Sequence, residues 1–225
     1  MNARMAVAAL AGLAIAAVIG CGSSTEELAV FVDALQRVPL GAEQGVTRFA
    51  LGFPTRFTAD DRTWWYLRPE PSGTNQQNGA FRGGNWLSAL IRFDERKRVV
   101  ERELVQSTAT DKPATYRLYA ERLSSQDPAH DGVDFASVLA EKLAELAATS
   151  DRYTFTRQEA SSQLLVEDVL LLSMDRWTRP GSHLVNVRGE FDAEAHPQVR
   201  EAIDVAWQIR RFAIGLDFEP AQPEP

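Results

Sequence analysis

Residues 41–55, GAEQGVTRFALGFPT, followed closely by Thr63-Trp64-Trp65-Tyr66-Leu67-Arg68, decide how this chain folds. The stretch reads as a short helix over about 43–51, with Val46, Phe49 and Ala50 turned inward. Gly52 can take the positive φ that ends a helix, and Pro54 has no amide hydrogen with which to continue it. The chain then turns sharply into an aromatic strand. Neighbouring strand residues point to opposite faces, so Trp64 and Trp65 cannot both enter one core. At least one is expected to be core. The other is a candidate partner-binding anchor, unless the C-terminal half covers it.

Working outward, Ser24-Thr25-Glu26-Glu27 has capping-box spacing, and Leu28, Phe31, Val32 and Leu35 follow at helical intervals. Downstream, residues 63–68, 88–94 and 98–106 read as strands. In the second of these Ala89, Ile91 and Phe93 alternate with Leu90 and Arg92, the pattern of a sheet with one dry face. Between the first two strands lies a segment at 69–85, rich in Pro, Gly, Asn and Gln and far longer than a tight hairpin requires. Its polar run is broken by Phe81, and Trp86 follows it. Both are candidate partner-contact residues, the alternative being that they tuck back onto the sheet.

This order, two short helices and then three strands, acquires a family likeness from particular residues. Gly41, Thr47, Leu51, Gly52 and Pro54, the strand Trp64-Trp65-Tyr66 and the later Ile91-Arg92-Phe93-Asp94 resemble the SmpA/OmlA (BamE-like) family of outer-membrane lipoproteins. The likeness covers roughly residues 25–106. It implies an ααβββ fold, a lipidated N-terminus and a role beside an outer-membrane assembly. Thr47 departs from the family's usual aliphatic residue, and Gly45 weakens its helix by about 1 kcal/mol relative to alanine.

The remaining sequence predicts a second unit. Ser107 to Pro113 reads as a linker, drawn at 107–115. Beyond it come a strand at 116–123 and a helix capped by Asp134 that carries Phe135, Val138, Leu139, Leu143 and Leu146 on one face. Extended runs follow at 153–158, 164–173 and 184–192. A last helix opens at Pro197, carries Val199, Ile203, Ala206, Trp207 and Ile209, and closes at Gly215. The expected class is α+β. A BamE-like domain at 21–106 precedes a second small domain of approximately βαβββα order at 116–216, and 217–225 form a tail.

The N-terminus supplies an address. Arg4 precedes a 14-residue apolar run over 6–19, too short for the ~20 residues that span a bilayer but suited to an export signal. The run ends in Val18-Ile19-Gly20-Cys21, which resembles the bacterial lipobox. Cys21 is the only cysteine, so it has no disulfide partner within the chain. The expectation is a cleaved signal at 1–20 and acylation of Cys21, with two or more acyl chains holding stably where one holds only marginally. Gly22 in place of an inner-membrane retention aspartate points to the outer membrane, with the body facing the periplasm.

Charge and chemistry narrow the function. Loss of Arg4 with the signal takes the formal net charge from −7 to −8, a balance that attracts neither nucleic acid nor anionic headgroups to the body as a whole. His130, His183 and His196 fall in separate predicted turns without a metal-binding spacing. Gly181-Ser182-His183 reads as a turn, and Arg96-Lys97-Arg98 as a solvated hairpin. The acid pairs Asp60-Asp61 and Glu101/Glu103, the latter on one strand face, read as solvated surface. No catalytic, cofactor or metal site is expected. The function expected is a non-catalytic accessory or scaffold in envelope maintenance or outer-membrane protein assembly. Alternatives are a lipid-anchored inhibitor or activator of an exported enzyme, and a module that binds a small ligand between the two halves.

Overall fold

A computed structural model describes residues 25–68, 86–109, 115–125 and 134–214. Within them the fold is mixed α and β, built on one antiparallel sheet with helices against both faces. Helices α1 (Thr25–Gln36) and α2 (Gln44–Leu51) lead into strands β1 (Arg56–Phe57), β2 (Thr63–Arg68), β3 (Trp86–Phe93) and β4 (Val99–Ala109). The chain continues through β5 (Thr115–Ser124), α3 (Phe135–Thr149), β6 (Tyr153–Arg157), β7 (Ser161–Val166), β8 (Val169–Arg179), β9 (Ser182–Asp192) and α4 (Pro197–Ala213). The nine strands are ordered β1-β2-β3-β4-β5-β9-β8-β7-β6.

Local chemistry sets most of these boundaries. Asp134 caps α3: its carboxylate accepts from the Ser137 amide and from the Ser137 hydroxyl, each at 2.8 Å. Pro197 opens α4. The run expected as one strand at 164–173 is two, because Glu167 (φ 49°) and Asp168 (φ 68°) both turn left-handed and form a two-residue hairpin. The second half is therefore βαββββα, with one strand more than expected. Pro180-Gly181, with Gly181 at φ 76°, makes the β8–β9 turn.

The expected linker contains strand at both ends. Ser107–Ala109 finish β4 and Thr115 begins β5, and the two strands pair from Glu101↔Ser124 to Ala109↔Tyr116. Residues 110–114 lie outside the described residues, as do the tail and Gly215. One sheet thus crosses the place where a boundary between halves is expected.

Directly paired residues share a face, so the register sorts the core into two layers. On the first face, Trp64, Tyr66, Ala89, Ile91 and Leu104 pack under Leu28, Leu35 and Leu51 of the first two helices. On the second, Val105, Leu118, Ala120, Val185, Val187, Leu172 and Met174 pack against Phe135, Leu139 and Leu143 of α3 and Val199, Ile203 and Trp207 of α4. Gly189 is required by that packing: a Cβ there would lie 2.0 Å from Leu172 Cδ2 and 2.9 Å from the Leu171 carbonyl.

Candidate interaction surface

The aromatic strand is core on both faces. Trp64 is fully buried; its indole N–H donates to Asp61 at 2.5 Å, and its ring meets Phe93 edge-on at 4.7 Å. Trp65 is buried on the opposite face with Leu90, under Ile214 at the end of α4. The C-terminal half thus covers the second tryptophan, and neither ring is exposed as an anchor. For the same reason β3 is dry on both faces rather than one, since Ser88 and Leu90 are as buried as Ala89 and Ile91. Trp86 begins β3; its side chain, together with Phe81, the segment 69–85, His130 and Cys21, lies outside the description.

The inward residues of α2 are not those expected. Thr47 and Leu51, four apart, are buried, and the Thr47 hydroxyl is satisfied by donating to the Glu43 carbonyl at 3.1 Å. Val46 and Phe49 face outward at 59% and 84% exposure, and Ala50 is exposed as well. Phe53 (75%) and Phe57 (63%) are also exposed. These side chains form one patch. Arg48 lies over the rings of both Phe53 (5.0 Å) and Trp64 (5.1 Å), while Phe57 pairs with Trp64 across β1 and β2. Val46 and Phe49 are three apart on α2, whereas Phe53 lies beyond its end, past Gly52 at φ 77°. The helix carries a second, equally helical pair at 47 and 51, and periodicity alone does not rank the two.

Asp60 and Asp61 belong to the neighbouring turn. Hydrogen bonds from Thr58 and Arg62 hold the Asp60 carboxyl down to about 2. Lys97, at φ 60°, donates to the carbonyls of Asp60 and Asp61 at 2.8 and 3.0 Å, so this turn is tied to the β3–β4 hairpin rather than free in solvent.

Glu101 and Glu103 do share a strand face, but that face is buried. Their side chains are 2% and 5% exposed and meet guanidinium groups that arrive from three other elements. Arg122 of β5 donates to Glu101 at 2.8 Å, Arg92 of β3 lies 3.3 Å from it, and Arg210 of α4 reaches both Glu103 (2.8 Å) and Glu101 (3.3 Å). The Phe135 amide also donates to Glu103, at 3.2 Å. Arg210 takes the inward place on α4 that the pattern assigns to Ile209, which is 37% exposed. Burial raises the Glu101 carboxyl, but the Arg122 hydrogen bond and the charges of Arg122, Arg92 and Arg210 outweigh it and hold the group below its ordinary value. This is a structural lock between the sheet and α4, with the carboxylates engaged rather than presented.

His183 stands in β9 beside Thr178, and His196 is the residue just before α4, near Tyr153. Among the described residues no group of three or more His, Cys, Asp or Glu side chains is placed to hold a metal. Burial and Arg152 push His196 below its ordinary 6.5, so the fold favours the neutral ring. Stability from this group is full above pH 6.5 and is lost as pH falls through the depressed value; Glu101 behaves alike below 4.5. Urea melts are therefore expected to show midpoints that decline in two stages on acidification. A midpoint unchanged from pH 7 to 4 would contradict both assignments.

A groove of about 500 Å³ opens on the first face beyond the first two helices, lined by Tyr119, Arg117, Arg188, Ser173 and Leu170 among others. Tyr119 donates to Glu121 at 2.7 Å and accepts from Gln36 at 3.0 Å; burial and that carboxylate push its hydroxyl up to about 12. The groove floor crosses from β4 through β5 and β9 to β8, so it sits where the two halves of the chain meet.

Comparison with family models, with curated proteins and with solved structures finds no match for this chain.

Proposed function

We propose that the chain is an exported, lipid-anchored, non-catalytic module that acts as an accessory or scaffold in envelope maintenance or outer-membrane protein assembly. In this reading the signal at 1–20 is removed, Cys21 carries the lipid, the body faces the periplasm from the outer membrane, and the SmpA/OmlA likeness spans the N-terminal region to residue 106. The feature that carries it is the 14-residue apolar run after Arg4 that ends in Val18-Ile19-Gly20-Cys21 at the only cysteine of the sequence. The first helix begins at Thr25, four residues beyond the lone cysteine, and four extended residues reach at most about 14 Å. Acylation at Cys21 would hold the body against the bilayer, where a long leash would let it roam. The succession α1, α2, β2, β3, β4 is the order the family likeness requires, with β1 as a two-residue addition.

Metabolic labelling with a clickable fatty acid is expected to mark the wild-type protein and to leave Cys21→Ser unlabelled. An unlabelled wild-type protein, or a mature chain that retains residues 1–20, would overturn the proposal. Co-purification through a tag placed after Pro225 then separates the roles. Barrel-assembly components support the scaffold, and a single hydrolase or peptidoglycan synthase supports the inhibitor or activator. The groove favours a second reading, in which the module binds a small ligand; capture of no stable protein would turn attention to it.

A further inference from the structure

Exposed phenylalanines beside an arginine need an occupant. Val46, Phe49, Phe53 and Phe57, from α2 to β1, stand more than half exposed, with the exposed Arg48 over the Phe53 ring. We propose that this patch is the face by which the body seats in the interfacial layer of a lipid bilayer. The inference rests on the lipid-anchored reading and adds an orientation to it.

Position is the first argument. The first two helices pack on one face of the sheet, while α3 and α4 pack on the other. Phe31 of α1 meets the Tyr66 ring at 5.3 Å, and the Tyr66 hydroxyl donates to the Gly52 carbonyl at 3.2 Å, immediately before Phe53. Phe31 of α1 therefore stands one aromatic ring away from the residue that precedes Phe53. With about 14 Å of leash and about 9 Å of helix from Thr25 to Phe31, a bilayer holding the acyl chains meets this side of the body before the α3/α4 side.

Chemistry is the second. A purely apolar patch would suit a protein core or a second copy, but here a cation accompanies it. The Arg48 guanidinium lies over the exposed Phe53 ring and beside the core ring of Trp64, so an exposed positive charge stands at the margin of the apolar side chains, where a headgroup phosphate can meet it. The same charge opposes self-association, because a twofold contact through this patch would set Arg48 against its own copy.

The test uses the mature protein purified from membranes and carrying Ala50→Cys, a position exposed within the patch. The chain is labelled with an environment-sensitive thiol dye and reconstituted in phosphatidylcholine vesicles containing a minority of an anionic lipid and a headgroup-depth quencher. One dye per chain means that Cys21 is blocked. Two dyes mean that it is free, which overturns the anchored reading and this one with it. With one dye, quenching is expected to be about twofold or more stronger than at Glu141→Cys on the exposed side of α3. Adding Phe49→Ser and Phe53→Ser is expected to erase the difference while the melting curve is kept. Equal quenching at 50 and 141 in a singly labelled chain would overturn the inference. So would a dye shift that follows protein concentration in lipid-free micelles, which would assign the patch to a second copy.

Discussion

Replacing Arg210 by alanine is expected to lower stability by about 3–5 kcal/mol, the usual cost of removing one partner from a buried ion pair. Arg210 is 2% exposed and is the cation 2.8 Å from Glu103, which is itself buried. Glu101 keeps Arg122 and Arg92 after the substitution, whereas the hydrogen bond that Glu103 accepts from the Phe135 amide does not neutralise a charge. The loss should therefore fall mainly on Glu103, and Glu103→Gln added to Arg210→Ala is expected to recover part of it. Chemical denaturation of the three chains at pH 7 measures this. A cost below about 1 kcal/mol, the range of exposed pairs, would show that water reaches the site.

Trp64→Ala is expected to cost a similar 3–5 kcal/mol, through the lost transfer energy and the cavity left between two helices and the sheet. Three contacts made by that ring disappear together: the Phe93 edge contact, the Asp61 hydrogen bond and the Arg48 cation. Trp65→Ala is expected to cost less. Its cover is Leu90 with Ile214 just past the end of α4, and its indole nitrogen is buried with no hydrogen-bond partner among the described residues, so truncation also removes a polar group that gains nothing from burial. Thermal melts of the two single variants decide the order. Equal losses would mean that the α4 terminus covers Trp65 as firmly as the first two helices cover Trp64.

The two tryptophans also mark how far sequence reading carries. Their opposite orientation follows from strand geometry alone, but whether the second face is wet depends on Ile214, some 150 residues away. Phe49 makes the same point in reverse. Two faces of one eight-residue helix compete, Val46 with Phe49 and Thr47 with Leu51, and only the position of β2 and β3 selects Thr47 and Leu51 as the inward pair. Glu101 and Glu103 read as surface because charge is ordinarily solvated, and the arginines that bury them come from β3, β5 and α4. The Glu167-Asp168 turn lies nearer to hand, since paired residues tolerant of left-handed backbone inside an apolar run mark a hairpin.

By itself the sequence determined what acts within a few residues: the helical stripes of α1 and α3, that of α4 except for Ile209, the Asp134 cap, and the proline that opens α4. The tertiary structure alone decided that both halves share one sheet, that two glutamates lie locked beneath α4, and that the phenylalanines around α2 face outward. The physical reason is range. Caps, turns and periodicity are settled by a residue's own backbone and near neighbours, whereas burial is settled by whichever distant surface arrives to exclude water.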